Sequence, residues 1–185
     1  LEPDRRYGFG NLEATKIASL RVALRRNRLP EPERLAIVAH AYYTDLLADC
    51  VGWTADLAVP HDLFVTTPAD GRPIVEAFLA ARRIPATVLT TENRGRDVAP
   101  FLEVLRSLDF ERYGSILKLH TKRDPLWRDG LFQALTDERF LRCAYRIFDD
   151  NPDIGIVGPA EYLLSMQNFL GRNEGTVRKL ALRMG

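Results

Sequence analysis

The chain has little with which to staple itself together. Only two cysteines, Cys50 and Cys143, occur in 185 residues, each inside an apparently helical stretch and neither beside a second cysteine or a histidine at metal-ligand spacing. That argues against a disulfide scaffold and for buried thiols in a reducing compartment. No apolar run approaches the roughly 18 residues of a membrane-spanning helix, and no secretory signal opens the sequence. The cytoplasm is therefore the expected location. Net charge is also scarce: 26 Lys and Arg against 25 Asp and Glu leave +1. No global field draws the protein to nucleic acid, phosphate or membrane, so any such attraction must come from local clusters. A nucleic-acid partner is not expected.

Several chemistry-bearing motifs are missing as well. There is no nucleophile elbow, no Gly-x-x-x-x-Gly-Lys-Ser/Thr loop, no Gly-x-Gly-x-x-Gly and no cluster of metal ligands. Asp149-Asp150 precedes Asn151-Pro152, which fits a helix end and a turn better than a metal site. No cofactor and no metal are predicted. Internal repeats and low-complexity segments are absent too.

What is present suits one domain of ordinary size: 46% hydrophobic and 28% charged residues are enough to bury a single α/β core without staples. Residues 12–28 carry Ile17, Leu20 and Leu24 at helical spacing, with Lys16, Arg21, Arg25, Arg26 and Arg28 elsewhere on the surface. This basic amphipathic helix stops at Leu29-Pro30-Glu31-Pro32, because proline removes a donor and pushes its predecessor out of the helical region. Residues 1–33 therefore read as an extension or linker, and 34–185 as the α/β domain. The first residue is Leu1, and 173–185 is a helical pattern without a closing element, so a piece of a longer protein is expected.

Beyond residue 33 short apolar runs alternate with amphipathic stretches. Strands are predicted at 35–39, 63–66, 86–90, 115–119 and 154–157, the last buried and ending at Gly158-Pro159. Helices are predicted at 44–53, 73–83, 98–108 and 131–149, the third capped by Asp97. The order βαβαβαβαβ implies a mostly parallel sheet with helices on both faces. In such sheets ligands bind outside the carboxyl ends of the strands. The segments to inspect are those following each strand, the last of them Gly158 to Glu161.

Two concentrations of charge lie at such ends. Glu92-Asn93-Arg94-Gly95-Arg96-Asp97 sits between a strand and a helix. A helix amino end favours anions, the two guanidiniums suit phosphate, and Gly95 permits a tight turn or close approach. A capped helix with solvated arginines is the alternative. Lys118-Leu119-His120-Thr121-Lys122-Arg123-Asp124 is the second. Strand alternation sends Lys118, His120 and Lys122 to one side, where two ammonium groups and an imidazole can meet an anion. His120 can serve as an acid or base near neutral pH; a solvated basic strand end is the competing reading. His40 and Tyr42 follow the first strand, and Thr66 and Thr67 the second. All four are candidates for a base or sugar, though histidines and threonines after strands are often structural.

Ala36-Ile37-Val38-Ala39-His40-Ala41-Tyr42-Tyr43, Asp62-Leu63-Phe64-Val65-Thr66-Thr67, Glu92 through Leu102, Ile116-Leu117-Lys118-Leu119-His120-Thr121-Lys122 and Gly155-Ile156-Val157-Gly158-Pro159 occur in that order. Together they resemble the rhamnan synthesis protein F family, over about residues 34–185. The resemblance implies rhamnose-containing polysaccharide and O-antigen lipopolysaccharide synthesis, with a dTDP- or UDP-type nucleotide-sugar donor and a growing glycan acceptor. The element order also looks like the nucleotide-binding part of a GT-A glycosyltransferase. Where that fold carries an Asp-x-Asp metal site, His120-Thr121-Lys122 stands here. The likeness thus implies metal-independent transfer, with Asn93, Arg94, Gly95, Arg96, Asp97, Lys118, Thr121 and Lys122 around the diphosphate and His120 as the catalytic residue. It also implies a continuation rich in Phe, Gly and Trp, closing the acceptor side, where a general base for an inverting transfer is expected.

Two further readings stand beside this one. A missing Asp-x-Asp is also what a non-catalytic glycan-binding or scaffolding module would show. The basic helix at 12–28 could rest on the anionic inner face of the cytoplasmic membrane, near lipid-linked acceptors, or pack on the domain with a solvated basic face.

Overall fold

The computed structural model describes residues 34–159 and 173–184. The basic helix expected at 12–28 lies outside them, as do Ala160 and Glu161. The sheet begins with β1 (Leu35–His40), whose six residues are all buried. Apolar side chains on both faces of one strand require cover on both, and a parallel sheet between helices provides it. β2 (His61–Thr67), β3 (Thr87–Thr90) and β4 (Ser115–His120) join it in parallel, in the order β3-β2-β1-β4.

The two faces are covered by different helices. Leu35, Ile37 and Ala39 pack with Leu47, Cys50 and Val51 of α1 (Leu47–Val51), which 3₁₀ turns at Thr44–Leu46 and Gly52–Asp56 extend at both ends. Val75 and Leu79 of α2 (Arg72–Arg82) share this cluster, as does Leu141 of α5 (Glu138–Asp150), which follows α4 (Pro125–Leu135). Ala36 and Val38 face the other way, with Val104 of α3 (Val98–Ser107), and Leu108, Phe64, Phe101 and Ile116 gather around them. Burying a Val, Leu or Ile is worth about 1.5–3 kcal/mol, so β1 anchors both layers. A last helix, α6, spans Glu174–Met184.

Chain order and sheet order diverge at one place. β1, β2 and β3 step outward on one side, and β4 returns to the other side of β1. The crevice at the carboxyl ends of β1 and β4 is therefore the topological switch point, where open α/β sheets bind ligands.

Two expectations need correction. Ile154 to Val157 is not a strand: Ile156 is 89% exposed, and the segment pairs with nothing in the sheet. Gly155 interrupts a run of only four residues, and glycine weakens a strand that has no packing to gain. Asp97 occupies the position before α3 but does not cap it. Its backbone is already helical there (φ −82°, ψ −10°), whereas a capping side chain needs extended backbone to reach the helix amides.

Candidate functional site

Parallel pairing places the chemistry-bearing ends of three strands side by side. His40 is the register partner of Thr66 on β2 and of His120 on β4. Register partners in parallel strands point the same way, so these three side chains lie on the α3 side of the sheet. His40 is 7% exposed, and its Nδ1 lies 2.9 Å from Thr66 Oγ1. Nδ1 is thereby engaged, and Nε2 is the nitrogen left for a ligand. Burial, opposed by the charge of Asp97 and aided by His120 and Lys118, holds the His40 imidazole below its ordinary pKa.

The threonines bond the main chain at this edge. Thr66 Oγ1 also reaches the Ala39 carbonyl at 3.4 Å, and Thr67 Oγ1 donates to the Ala41 carbonyl at 2.9 Å. Thr121 Oγ1 accepts from the Tyr43 amide at 2.9 Å and lies 3.4 Å from the His40 carbonyl. All three are buried, and a buried hydroxyl must find a partner. Here the partners include the main chain leaving β1, which is pinned to β2 on one side and to β4 on the other. Thr66, Thr67 and Thr121 thus brace the main chain at this edge.

The loop between β3 and α3 is shaped by two consecutive left-handed residues, Gly95 (φ 72°) and Arg96 (φ 54°). A Cβ on Gly95 would stand 2.6 Å from Ala99 Cβ, so only glycine lets the loop close onto the first turn of α3. The amides of Val98 and Ala99 bond the Gly95 carbonyl at 3.2 and 3.3 Å. Arg94 and Arg96 are exposed, and neither guanidinium has a hydrogen-bond or ion-pair partner among the described residues. Asn93 Nδ2 donates to Tyr42 Oη at 3.4 Å, tying this loop to the segment after β1. Tyr42, 44% exposed, has its ring 6.4 Å from that of His40 and 4.9 Å from that of Tyr43.

Beneath this rim is an electrostatic triangle. Lys118 lies two residues before His120 on the same face, and its Nζ donates to Asp97 Oδ2. The same oxygen is 3.8 Å from His120 Nδ1, beyond hydrogen-bond reach. Burial opposes the charged form of Asp97, but the hydrogen bond and charge of Lys118, together with His120, outweigh it and hold the carboxyl below its usual range. His120 is also held below its ordinary pKa: burial, Lys118 and Lys122 disfavour its proton more than Asp97 favours it. Both imidazoles are consequently neutral at pH 7.

One contributor escapes a reading by strand ends, and another lies within such an end but with partners it does not announce. Phe101 stands one helical turn after Asp97, and its ring centroid is 5.8 Å from Lys118 Nζ, a cation–π distance. The i, i+4 spacing of Asp97 and Phe101 was the available signal. Arg123 lies over the Tyr43 ring at 4.6 Å and reaches Asp45 at 3.5 Å, a pairing that only the tertiary fold creates.

The arrangement offers exposed guanidiniums, a partly neutralised ammonium and two neutral imidazoles at one sheet edge. Among the described residues no group of three or more His, Cys, Asp or Glu could hold a metal ion, and no helix is long and apolar enough to cross a membrane. No solved structure matches the chain. The uncharacterized protein WxcX of Xanthomonas campestris pv. campestris strain B100 is 31% identical over 191 residues, covering 100% of this chain and 27% of its own length. WxcX of strain ATCC 33913 gives the same identity and coverage. This chain therefore spans only about a quarter of those curated relatives. Residues 14–171 match the family described as rhamnan synthesis protein F, and the chain belongs to that family, among proteins of polysaccharide biosynthesis.

Proposed function

We propose that the chain binds the nucleotide-sugar donor of a rhamnosyl transfer, of dTDP or UDP type, at the carboxyl ends of β1 and β4. The observation that carries this reading is the pair of exposed guanidiniums, Arg94 and Arg96, without partners among the described residues, on the loop whose Asp97 reaches Lys118 of β4, beside the topological switch point. Two planar forks match the two phosphates of a diphosphate, with Lys118 and Lys122 adding charge from β4 and the segment after it. The edge order β3-β2-β1-β4 is that of the first four strands of doubly wound dinucleotide-binding sheets. His40 Nε2 and the Tyr42 ring would meet the base or sugar.

In the transfer, the acceptor glycan hydroxyl attacks the anomeric carbon and its proton passes to a neutral imidazole, for which His120 is the candidate. The bond from the anomeric carbon to the phosphate oxygen breaks, and its electron pair leaves on the diphosphate. Cations at the diphosphate stabilise that leaving charge, the task a divalent ion performs in GT-A enzymes. Isothermal titration of the chain with dTDP and UDP tests the binding half. Saturable heat, weakened about tenfold to a hundredfold by Arg96→Ala at ~1.5–3 kcal/mol per charged hydrogen bond, supports the reading. Absence of heat at millimolar ligand contradicts it.

A second reading is a glycan-binding or scaffolding module without turnover. It is favoured by one observation, that Lys118 already has its charge met by Asp97. Transfer by the full-length protein with rhamnose donors, abolished by His120→Ala, is incompatible with that module.

A further inference from the structure

Asp97 is held by less than its position suggests. It stands at the start of α3 without a capping bond to the amides of that helix, and the backbone contact of its carboxyl is with its own residue. Its side-chain partner is Lys118, through Oδ2, and that same oxygen lies 3.8 Å from His120 Nδ1. Closing the gap to hydrogen-bond distance takes about 1 Å. The side chains of Asp97, Lys118 and His120 are 26%, 31% and 27% exposed, so a ligand can reach the triangle while water is largely kept from it.

We infer that Asp97 is an exchangeable positioning residue: an anion that engages Lys118 releases the Asp97 carboxylate to His120 Nδ1, orienting that imidazole with Nε2 toward the acceptor. The inference rests on the donor reading above and adds a regulation to the same site. It follows from competition for one ammonium. Lys118 Nζ is on a flexible four-carbon stem, and a diphosphate bearing on it reduces its share in Asp97. Among the described residues, Oδ2 then has one other cation-capable neighbour within 4 Å, the imidazole. The charged and titratable groups facing His120 are Lys118 and Lys122 from its own strand and the residues just after it, Asp97 from α3, and His40 from β1 as register partner. Of these only Asp97 favours the imidazolium. Bringing it into contact, while a ligand anion answers the lysines, makes His120 a better proton acceptor in the complex than in the free protein. The base is thus armed only when a donor is in place, which protects the donor from untimely hydrolysis.

The test is the titration of the His120 ring followed by NMR in the chain, alone and saturated with UDP, dTDP or inorganic pyrophosphate. The midpoint is expected to move up by about one pH unit on saturation, as an approaching carboxylate does to an imidazole, with the neutral ring carrying its proton on Nδ1. In Asp97→Asn the ligand binds at least as tightly, because Lys118 is unmasked, but the rise is lost; Asp97→Glu restores it. An equal rise in Asp97→Asn overturns the exchange and attributes the effect to ligand charge alone, leaving the donor reading intact. Absence of binding by nucleotides and pyrophosphate alike overturns both. If Asp97→Asn does not fold, the parent protein decides: unchanged midpoint and tautomer in the saturated complex overturn the inference.

Discussion

His40 and His120 are register partners on adjacent parallel strands, side by side where the sheet reverses its order. The proximity of His120 disfavours protonation of His40, and burial does so more strongly. Two neutral imidazoles at one sheet edge therefore form a pH-sensitive pair, and the first prediction concerns their titration.

Both histidines have folded-state pKa values below 6.5, so between those values and 6.5 the unfolded chain binds more protons. Their contribution to stability is fully present above pH about 6.5 and is lost as pH falls through the folded values. Asp97 acts in a lower window: its carboxyl is held below 3.8, so its share is lost only as pH falls past that range. Thermal melting from neutral to mildly acidic pH is expected to show a falling Tm. The slope should be shallower in His40→Asn.

Gly95→Ala puts a methyl 2.6 Å from Ala99 Cβ at φ 72°. The clash and the left-handed backbone together are expected to cost about 1–3 kcal/mol, read by urea denaturation. Titration with UDP or dTDP should weaken in parallel, because the loop that carries Arg94 and Arg96 is displaced. Gly155→Ala, with nothing within 4 Å of its added Cβ, is the control and should leave stability within about 0.5 kcal/mol of the parent.

Thr67→Val removes the buried hydroxyl that bonds the Ala41 carbonyl at 2.9 Å. A loss of about 1–2 kcal/mol in denaturation with unchanged nucleotide affinity is expected, since the fully buried hydroxyl is engaged by that carbonyl. A large loss of affinity without loss of stability would return Thr67 to direct ligand contact.

Lys118→Met leaves Asp97 partly buried beside a neutral side chain. Stability should drop by about 1–2 kcal/mol, and the carboxyl titration of Asp97 followed by NMR should move upward, because the hydrogen bond and charge that lower it come first from Lys118. Asp97→Asn in the same background should recover part of the stability, the mark of a coupled pair.

The fold was legible wherever hydrophobic pattern decides structure. The run from Leu35 to Ala39 reads as a strand buried on both faces because its cover is apolar and continuous, and the alternation of strands and helices implies the parallel sheet. Ile154 to Val157 misled for the complementary reason: an apolar run announces burial only if something packs on it, and Ile156 is left 89% exposed. Positions at the carboxyl edge were legible too, since parallel strands bring their ends together. Partnerships were not. That Asp97 answers Lys118 instead of its own helix depends on how α3 sits over β4. That Thr66 serves His40 depends on strand register. Neither relationship leaves a trace in local spacing.

The central claim is that the cationic edge at β1 and β4 holds a nucleoside diphosphate, and a crystal structure of the chain with UDP or dTDP bound tests it most directly. The account predicts phosphate oxygens within hydrogen-bond distance of Arg94 and Arg96, with His40 and Tyr42 beside the nucleoside or sugar. A diphosphate seated elsewhere contradicts it, for instance in the groove at the opposite edge lined by His61, Phe64, Thr87, Arg112 and Tyr113.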